Sequence, residues 1–577
     1  VWGFLFFVLT TLWLRHEALP LFSSHIIGGV EGDIGIYLYI MRLIPEHGYF
    51  FPRWFDLPII YPHGSVLAWS DNFLLPAHIS YFFRVVGLSF VESLNLLSLI
   101  ITFLNGYVTF LYCKQKPLNF FVGFAVQSLP FLALHLGHPQ LQAVFIFPLA
   151  LILLEKRKSF SLGLLLTGTF LYGVYLFFYL ALLLAIVGFK ELKDFKFVLR
   201  GLLGISLIIP FLLPYLFLES RELFEGYEFR ATPLSYLFNT HPEAAHFPGI
   251  AVGLVLLLTL GQSLGFLGSL NLILWLFLIE KGFLVATFFI PLTVFFVKEK
   301  KSLWLSLMLF LALSFGSAPN TISLHSVLSE LVPGLISLRA SGRMGLVFTL
   351  LLLLLAEKNF LLRSWKVVLG LISGLFVETR FQSIPLEPYP YTQVKEEEIA
   401  IVLPYAGDLT QDGRIKSYRE FAKLNMSVVH EFFGATLVNG YSGLQGGLTE
   451  RLAKLFSSFP DSARIAKSIA GLSFIYSKDK VDVSWLREVG KFGDYNKYEI
   501  LDVEFPGKGT FLVHPSKDSL SVVWKADKEC SVLVNGQEIK LNRNFTKSNL
   551  KLISHRGSEP TRVYFEGCDI ITVRSVS

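Results

Sequence analysis

Residues 90–112, FVESLNLLSLIITFLNGYVTFLY, carry a single charged side chain, Glu92, near one end. A helix of that length and composition crosses the roughly 30 Å hydrocarbon layer of a bilayer. Runs of the same kind lie near 1–15, 118–135, 139–154, 159–173, 174–189, 197–218, 249–265, 266–281, 282–297, 303–317, 344–361 and 366–381. With 90–112 they make about thirteen spans. Two places leave alternatives open. Gly261, Gly265, Gly268 and Gly282 fit three full spans or re-entrant pieces across 249–297, and the pair meeting at Tyr172–Tyr175 is short.

Composition agrees. Of 577 residues, 53% are hydrophobic and 16% charged, with 56 Phe, 22 Tyr and a mean hydropathy of +0.56. Ordinary soluble domains hold about 45–50% apolar and about 25% charged residues. A disordered, collagen-like or disulfide-framework chain is excluded, and a soluble multidomain enzyme is disfavoured. The net charge of +6 sits in short clusters between apolar runs: Lys114–Lys116, Lys156–Lys158, Lys190–Lys196, Lys298–Lys301 and Lys358–Lys366. Cytoplasmic loops are biased this way, whereas a nucleic-acid partner would call for charge gathered on one face. With those clusters inside, 16–89, 135–140, 219–248, 318–343 and everything after about 382 lie outside. Val1–Leu14 reads as the end of a first span rather than a cleaved signal.

The expected architecture is an all-α polytopic membrane domain over 1–381, with a long first outer loop at 16–89. Two stretches of that loop, Ile34–Ile44 and Phe73–Val86, look amphipathic enough to lie along the membrane surface. Beyond 381 the chain reads as a small extracytoplasmic α/β domain (382–497) and a β-sandwich-like domain (498–577). Asn535-Gly536 between alternating runs signals a hairpin. Cys530 and Cys568 leave both an oxidised pair and two buried thiols open.

Glu31-Gly32-Asp33 directly follows the first span. Two carboxylates at i, i+2 can share a divalent cation (Mg or Mn), or one can orient a substrate while the other takes a proton. A solvated polar loop carries the same spacing. Trp54, His63, Asp71 and Asn72 in the same loop suit a sugar, because rings stack on pyranose faces and polar tips bind hydroxyls. An aromatic belt at the interface explains Trp54 equally well. His135, His138 and Gln140 share the turn LHLGHPQLQ. Gly137 and Pro139 interrupt the helix that a His-x-x-His metal pair needs, so His138 reads better as a helix-end residue near the mouth of a site. Arg339 and Arg343 sit i, i+4 before an apolar span, a good start for a phosphate cradle. Pairing with Glu330 or with Glu219–Glu228 is the alternative. Loop 219–248 is a lid or a solvated charged loop. No GxxxxGK[ST], GxSxG or HExxH is present.

Together these features resemble the GT-C superfamily of polytopic glycosyltransferases, which includes oligosaccharyltransferase catalytic subunits and protein mannosyltransferases. Three parts match: the acidic-x-acidic motif Glu31-Gly32-Asp33, the membrane-surface helices after it, and the C-terminal extracytoplasmic domain. The segments Pro62–Asn72, Gly137–Gln140, Leu338–Arg343 and Val438–Gly443 resemble a largely uncharacterised bacterial branch, which would also carry a Pro near Gly446–Leu448. The resemblance implies a transferase in the cytoplasmic (inner) membrane that moves a sugar from a polyprenyl-phosphate donor to a glycan, lipid or protein acceptor. Asp33 and Glu31 would be catalytic, and Arg339 and Arg343 would hold the donor phosphate. The rival is a non-catalytic transport or assembly partner in polysaccharide or lipid export, built on the same scaffold.

Overall fold

A computed structural model describes residues 1–30, 33–46, 55, 57–59, 66–69, 71–216, 230–236, 248–281, 283–297, 301–316, 321–331, 340–356, 364–380, 382, 384–389, 399–403, 410–411, 414–415, 428, 432, 436–439, 472–483, 486–501 and the strand backbones between 508 and 575. The chain forms two compact units. The first comprises Val1–Leu57, Ser65–Tyr391 and Ser442–Gly446, and the second comprises Pro58–Gly64, Thr392–Tyr441 and Gly447–Ser577.

The first unit is helical. Helix α1 (Trp2–Leu14) leads to the short strand β1 (His25–Ile27), then α2 (Asp33–Glu46) and α3 (Leu74–Val85). Helix α4 (Phe90–Tyr112) occupies the run quoted first. It starts at a capping box: the Glu92 N–H donates to Ser89 Oγ at 3.2 Å, and the Ser89 N–H donates to Glu92 Oε2 at 2.8 Å, two otherwise unmet donors satisfied reciprocally. Helices α5 (Leu118–Gln127) and α6 (Pro130–Leu134) stand where one span was expected. Pro130 has no N–H to continue the helix and begins a new one instead. There follow α7 (Ile146–Glu155), α8 (Ser159–Tyr172), α9 (Val174–Val187), α10 (Phe195–Ile205), α11 (Ile209–Leu216), α12 (Ile250–Glu280), α13 (Lys301–Ser314), α14 (Leu324–Leu331), α15 (Met344–Leu355), α16 (Trp365–Thr379) and strand β2 (Leu386–Pro388).

Two expectations change here. The three pieces across 249–297 become one helix, α12, kinked where Gly265 takes φ 67°, followed by 3-10 turns over Leu284–Phe288 and Ile290–Phe296. The Ile34–Ile44 stretch does not lie on a surface. Ile34, Ile36, Leu38, Ile40, Leu43 and the rings of Tyr37 and Tyr39 are all buried and Arg42 is half-buried, so most of this stretch is covered by the rest of the protein.

Among the described residues, three helical stretches are by themselves long and apolar enough to cross a membrane: Phe90–Tyr112, Phe195–Tyr215 and Ile250–Glu280. The other apolar helices run 10–17 residues. Their outer faces suit lipid. Phe195, Leu199, Leu202 and Leu203 of α10 and Leu257, Phe266, Leu267 and Phe277 of α12 are exposed, an apolar area no water-soluble surface sustains. Helices α8 and α10 cross through glycines. A Cβ on Gly204 would lie 2.5 Å from the Phe160 carbonyl oxygen, and one on Gly163 would collide with Gly201. Backbone-to-backbone contact of this kind replaces the missing hydrophobic drive between helices in lipid.

The second unit is built on strands. Strands β3 (Ile399–Leu403), β6 (Thr436–Leu437), β7 (Phe474–Ser477), β8 (Leu486–Phe492) and β9 (Tyr495–Ile500) form a sheet of order β6-β3-β7-β9-β8, parallel at β6/β3/β7 and antiparallel beyond. Strands β4 (Thr410–Gln411) and β5 (Arg414–Ile415) make a separate ribbon. Pro58 belongs to this unit, and its carbonyl accepts the Leu437 N–H at 2.8 Å. Further on, β10 (Lys508–Val513), β11 (Ser519–Lys525), β12 (Cys530–Val534), β13 (Gln537–Leu541), β14 (Thr546–Lys551), β15 (Thr561–Glu566) and β16 (Asp569–Ser575) form two sheets, β10-β15-β12-β13 and β14-β11-β16. Val534 pairs with Gln537, leaving Asn535-Gly536 as the connection. The side chains of Cys530 and Cys568 lie outside the described residues.

Candidate functional site

The centre of the site is a broken helix. Gly173 is extended, and α9 restarts at Val174 with no side chain at its N-cap. The first N–H groups of a helix need acceptors. Asp71 supplies one from the stretch between α2 and α3: the Val174 N–H donates to Asp71 Oδ1 at 2.5 Å, and the Tyr175 N–H also bonds the carboxylate. The Tyr37 hydroxyl of α2 donates to Asp71 Oδ2 at 3.4 Å. Asn72 is tied down as well. Its Nδ2 donates to the Phe170 carbonyl at 3.0 Å, and its Oδ1 accepts the Leu74 N–H at 3.3 Å. Between them, Phe73 takes a left-handed φ of 50° and packs on Tyr37 and Tyr172.

Arg343 approaches the same joint. It is buried at the start of α15, its guanidinium carbon 5.0 Å from the Tyr175 ring centroid, and its charge pulls on Asp71. Burial nevertheless raises the Asp71 carboxyl above the ordinary range, against the opposing pull of the Val174 N–H, Arg343, the Tyr175 N–H and Tyr37. Asp71 is therefore part of what offsets the buried Arg343 charge.

The histidine turn packs on the joint from another side. The Tyr172 hydroxyl donates to the Pro139 carbonyl at 2.6 Å, and a Cβ on Gly173 would sit 3.0 Å from the Gln140 carbonyl oxygen. His138 precedes this turn, its ring 5.3 Å from that of His135. Gln140 is buried, and its Oε1 has no hydrogen-bond partner among the described residues.

The loop leading to Glu31 is fastened next to that turn. Gly28 and Gly29 have φ of +104° and +78°, and a Cβ on Gly28 would lie 2.6 Å from the Leu136 carbonyl oxygen. Only glycine takes this path without strain. Strand β1 pairs antiparallel with β2, and the Val30 N–H donates to Glu387 Oε2 at 2.6 Å. Asp33 is the first residue of α2, one helical turn before Tyr37.

Of the residues singled out in the sequence, Asp71, Asn72, Arg343 and the turn that His138 opens converge on the Gly173 joint. Glu31, Arg339, Trp54 and His63 lie outside the described residues, as does the side chain of Asp33. Asp71 and Asn72 both hold internal hydrogen-bond partners. Tyr37, Tyr175 and Glu387 went unrecognised in the sequence. No local pattern marks them, because their partners lie far along the chain. Among the described residues, no three His, Cys, Asp or Glu side chains gather as metal ligands would.

No family model and no curated protein matches this sequence. Two solved structures of the arabinofuranosyltransferase AftD from Mycobacteria, one of them of a point mutant, align with 99% of this chain at 10% identity, with TM-scores of 0.44 and 0.43. The chain spans 61% and 60% of their lengths.

Proposed function

We propose that this protein is a membrane glycosyltransferase that moves a sugar from a polyprenyl-phosphate carrier to an extracytoplasmic glycan, lipid or protein. The observation that carries the proposal is Arg343, a buried guanidinium held over Tyr175 at a joint that also receives the first outer loop. A cation kept out of water acts on a nearby phosphate with far more energy than it would in solvent. Arg343, with Arg339 four residues earlier in the sequence, would hold the carrier phosphate and stabilise the charge that grows on it as the glycosidic bond breaks. Asp33 would take the proton of the attacking acceptor hydroxyl, and Glu31 would orient that hydroxyl or share a divalent ion with Asp33. Displacement from the face opposite the phosphate inverts the anomeric centre. Asp71 would fix the position of Arg343 without touching substrate.

The test uses the purified chain in detergent with a panel of polyprenyl-phosphate sugars, reading released polyprenyl phosphate. Asp33→Asn should abolish transfer while leaving the yield of folded protein unchanged; near-normal turnover would remove Asp33 from the mechanism. Arg343→Ala should weaken donor binding more than acceptor binding. Equal donor affinities would dismiss the cradle.

A further inference from the structure

Strand β1 ends at Ile27, yet the chain is fastened for three residues more. The Gly28 N–H donates to the Pro385 carbonyl at 2.9 Å, the Gly29 N–H to the Ile26 carbonyl at 3.2 Å, and the Val30 N–H to Glu387 Oε2 at 2.6 Å. The first two acceptors are backbone carbonyls, which any sequence supplies. The third is a side chain, and it fixes the residue directly before Glu31-Gly32-Asp33.

Glu387 reaches Val30 past its own partner. In the β1/β2 ladder it stands opposite Ile26, so its carboxylate runs beyond the end of β1 and over Gly29. Glycine makes the room. A Cβ on Gly29 would lie 3.1 Å from Glu387 Oε2 and 3.2 Å from its Cδ, and φ there is +78°, a region that side chains avoid. Gly29 and Glu387 thus work together although they come from distant parts of the sequence. A carboxylate that accepts an N–H at this distance makes a charge-assisted bond, stronger than one between amide and carbonyl.

Asp33 opens α2 three peptide units after Val30. Consecutive Cα atoms are about 3.8 Å apart, so this span is at most about 11 Å long. It is clamped at both ends: by Glu387 through Val30 on one side, and by α2, whose Ile34, Tyr37 and Leu38 are buried, on the other.

We propose that Glu387 is a positioning residue for the acidic pair, holding the segment that presents Glu31 and Asp33 without itself touching substrate. The inference rests on the function proposed above, in which that pair acts on the acceptor hydroxyl. A misplacement of about 1 Å at a reacting group costs on the order of 100-fold in rate. The clamp therefore bears on turnover, whereas donor affinity falls to Arg343 at the start of α15.

The experiment compares Glu387→Gln, Glu387→Ala and Gly29→Ala with the unaltered full chain in detergent. It reads hydrogen exchange on peptides covering residues 28–37 and, in parallel, transfer from the polyprenyl-phosphate sugar that the unaltered chain uses best. Glu387→Gln keeps an oxygen for the Val30 N–H and should stay within about threefold of the unaltered chain in both. Glu387→Ala should exchange about tenfold faster over that segment and lose about 10- to 100-fold in kcat, with the donor KM changed by less than about twofold. Gly29→Ala, which displaces the carboxylate from the other side, should do the same. Unchanged exchange in Glu387→Ala overturns the clamp, and so does faster exchange at full kcat. A Gln variant as impaired as the Ala variant overturns it too, because the charge rather than the anchor would then matter. An unaltered chain without transfer from any donor defeats the function reading and this role with it; faster exchange in Glu387→Ala would still separate that result from a failed anchor.

Discussion

Asp71 and Arg343 can be tested as a coupled pair by a double-mutant cycle. Removing one member of a buried charge pair costs about 3–5 kcal/mol, because the other is left uncompensated. Arg343→Gln should fall near the lower end, since Tyr175 still covers the site. Asp71→Asn keeps a neutral acceptor for the Val174 N–H, so it too should cost about 3 kcal/mol; Asp71→Ala, which leaves the α9 N-terminus uncapped, should cost about 1–2 kcal/mol more. Removing both partners leaves neither charge stranded, so the Asp71→Asn/Arg343→Gln protein should lose about 1–3 kcal/mol less than the sum of its single changes. Equilibrium unfolding in mixed micelles of rising SDS content reads these differences. The cycle has a pH signature as well. With its carboxyl raised by burial, Asp71 binds its proton more tightly folded than unfolded, so the stability it contributes is present at low pH and declines as pH climbs through the raised value. Coulomb coupling to Arg343 needs the ionised form and should grow as pH climbs through that raised value. Costs that add to within about 0.5 kcal/mol on both sides of the Asp71 transition would refute the linkage.

His325 is buried in α14 and its imidazole is pushed down from 6.5 to about 4. It therefore stabilises the fold above its unfolded value, and up to about 3 kcal/mol should be lost as pH falls from about 6.5 to about 4. His325→Leu should flatten that acid limb in a thermal-inactivation series, and an unchanged slope would rule His325 out as its source. Gly28→Ala places a Cβ against the Leu136 carbonyl at a left-handed φ. It should cost about 1–3 kcal/mol and reduce the proposed transfer, and an equally stable variant would show that the loop tolerates another path. Gly204→Leu should separate α8 from α10 and lower the yield of monodisperse protein in detergent, whereas wild-type yield would mean that the crossing contributes little.

The helical segments were legible because counting apolar residues between charges is a length measurement, and bilayer thickness sets the ruler. Helix α4 has the bounds read from its sequence, and Gly173 separates α8 from α9 where the short pair had been divided. Failure came where burial depends on neighbours. Ile34–Ile44 has polar atoms at Tyr37, Tyr39 and Arg42, which in isolation read as a wet face; in the fold, Tyr37 turns to Asp71 and Arg42 to Tyr389. Asp71, Arg343 and the histidine turn were each noticed separately. That they share one joint was not legible, since Asp71 reaches Val174 across a hundred residues of intervening chain and no spacing rule covers such a reach.

The pairing of β1 with β2 sets an order of assembly. Gly28, Gly29 and Val30 are made about 350 residues before Pro385 and Glu387, which secure them and arrive only after α16 has been made. Until then β1 lacks its β2 pairing and is held through Asn95 of α4, which accepts the Ile27 N–H and donates to the His25 carbonyl. The helices can be inserted one by one as they emerge, but the loop that opens α2 takes its final path only as a closing step, so a chain stalled or cut before β2 should hold its helices and still lack a finished site.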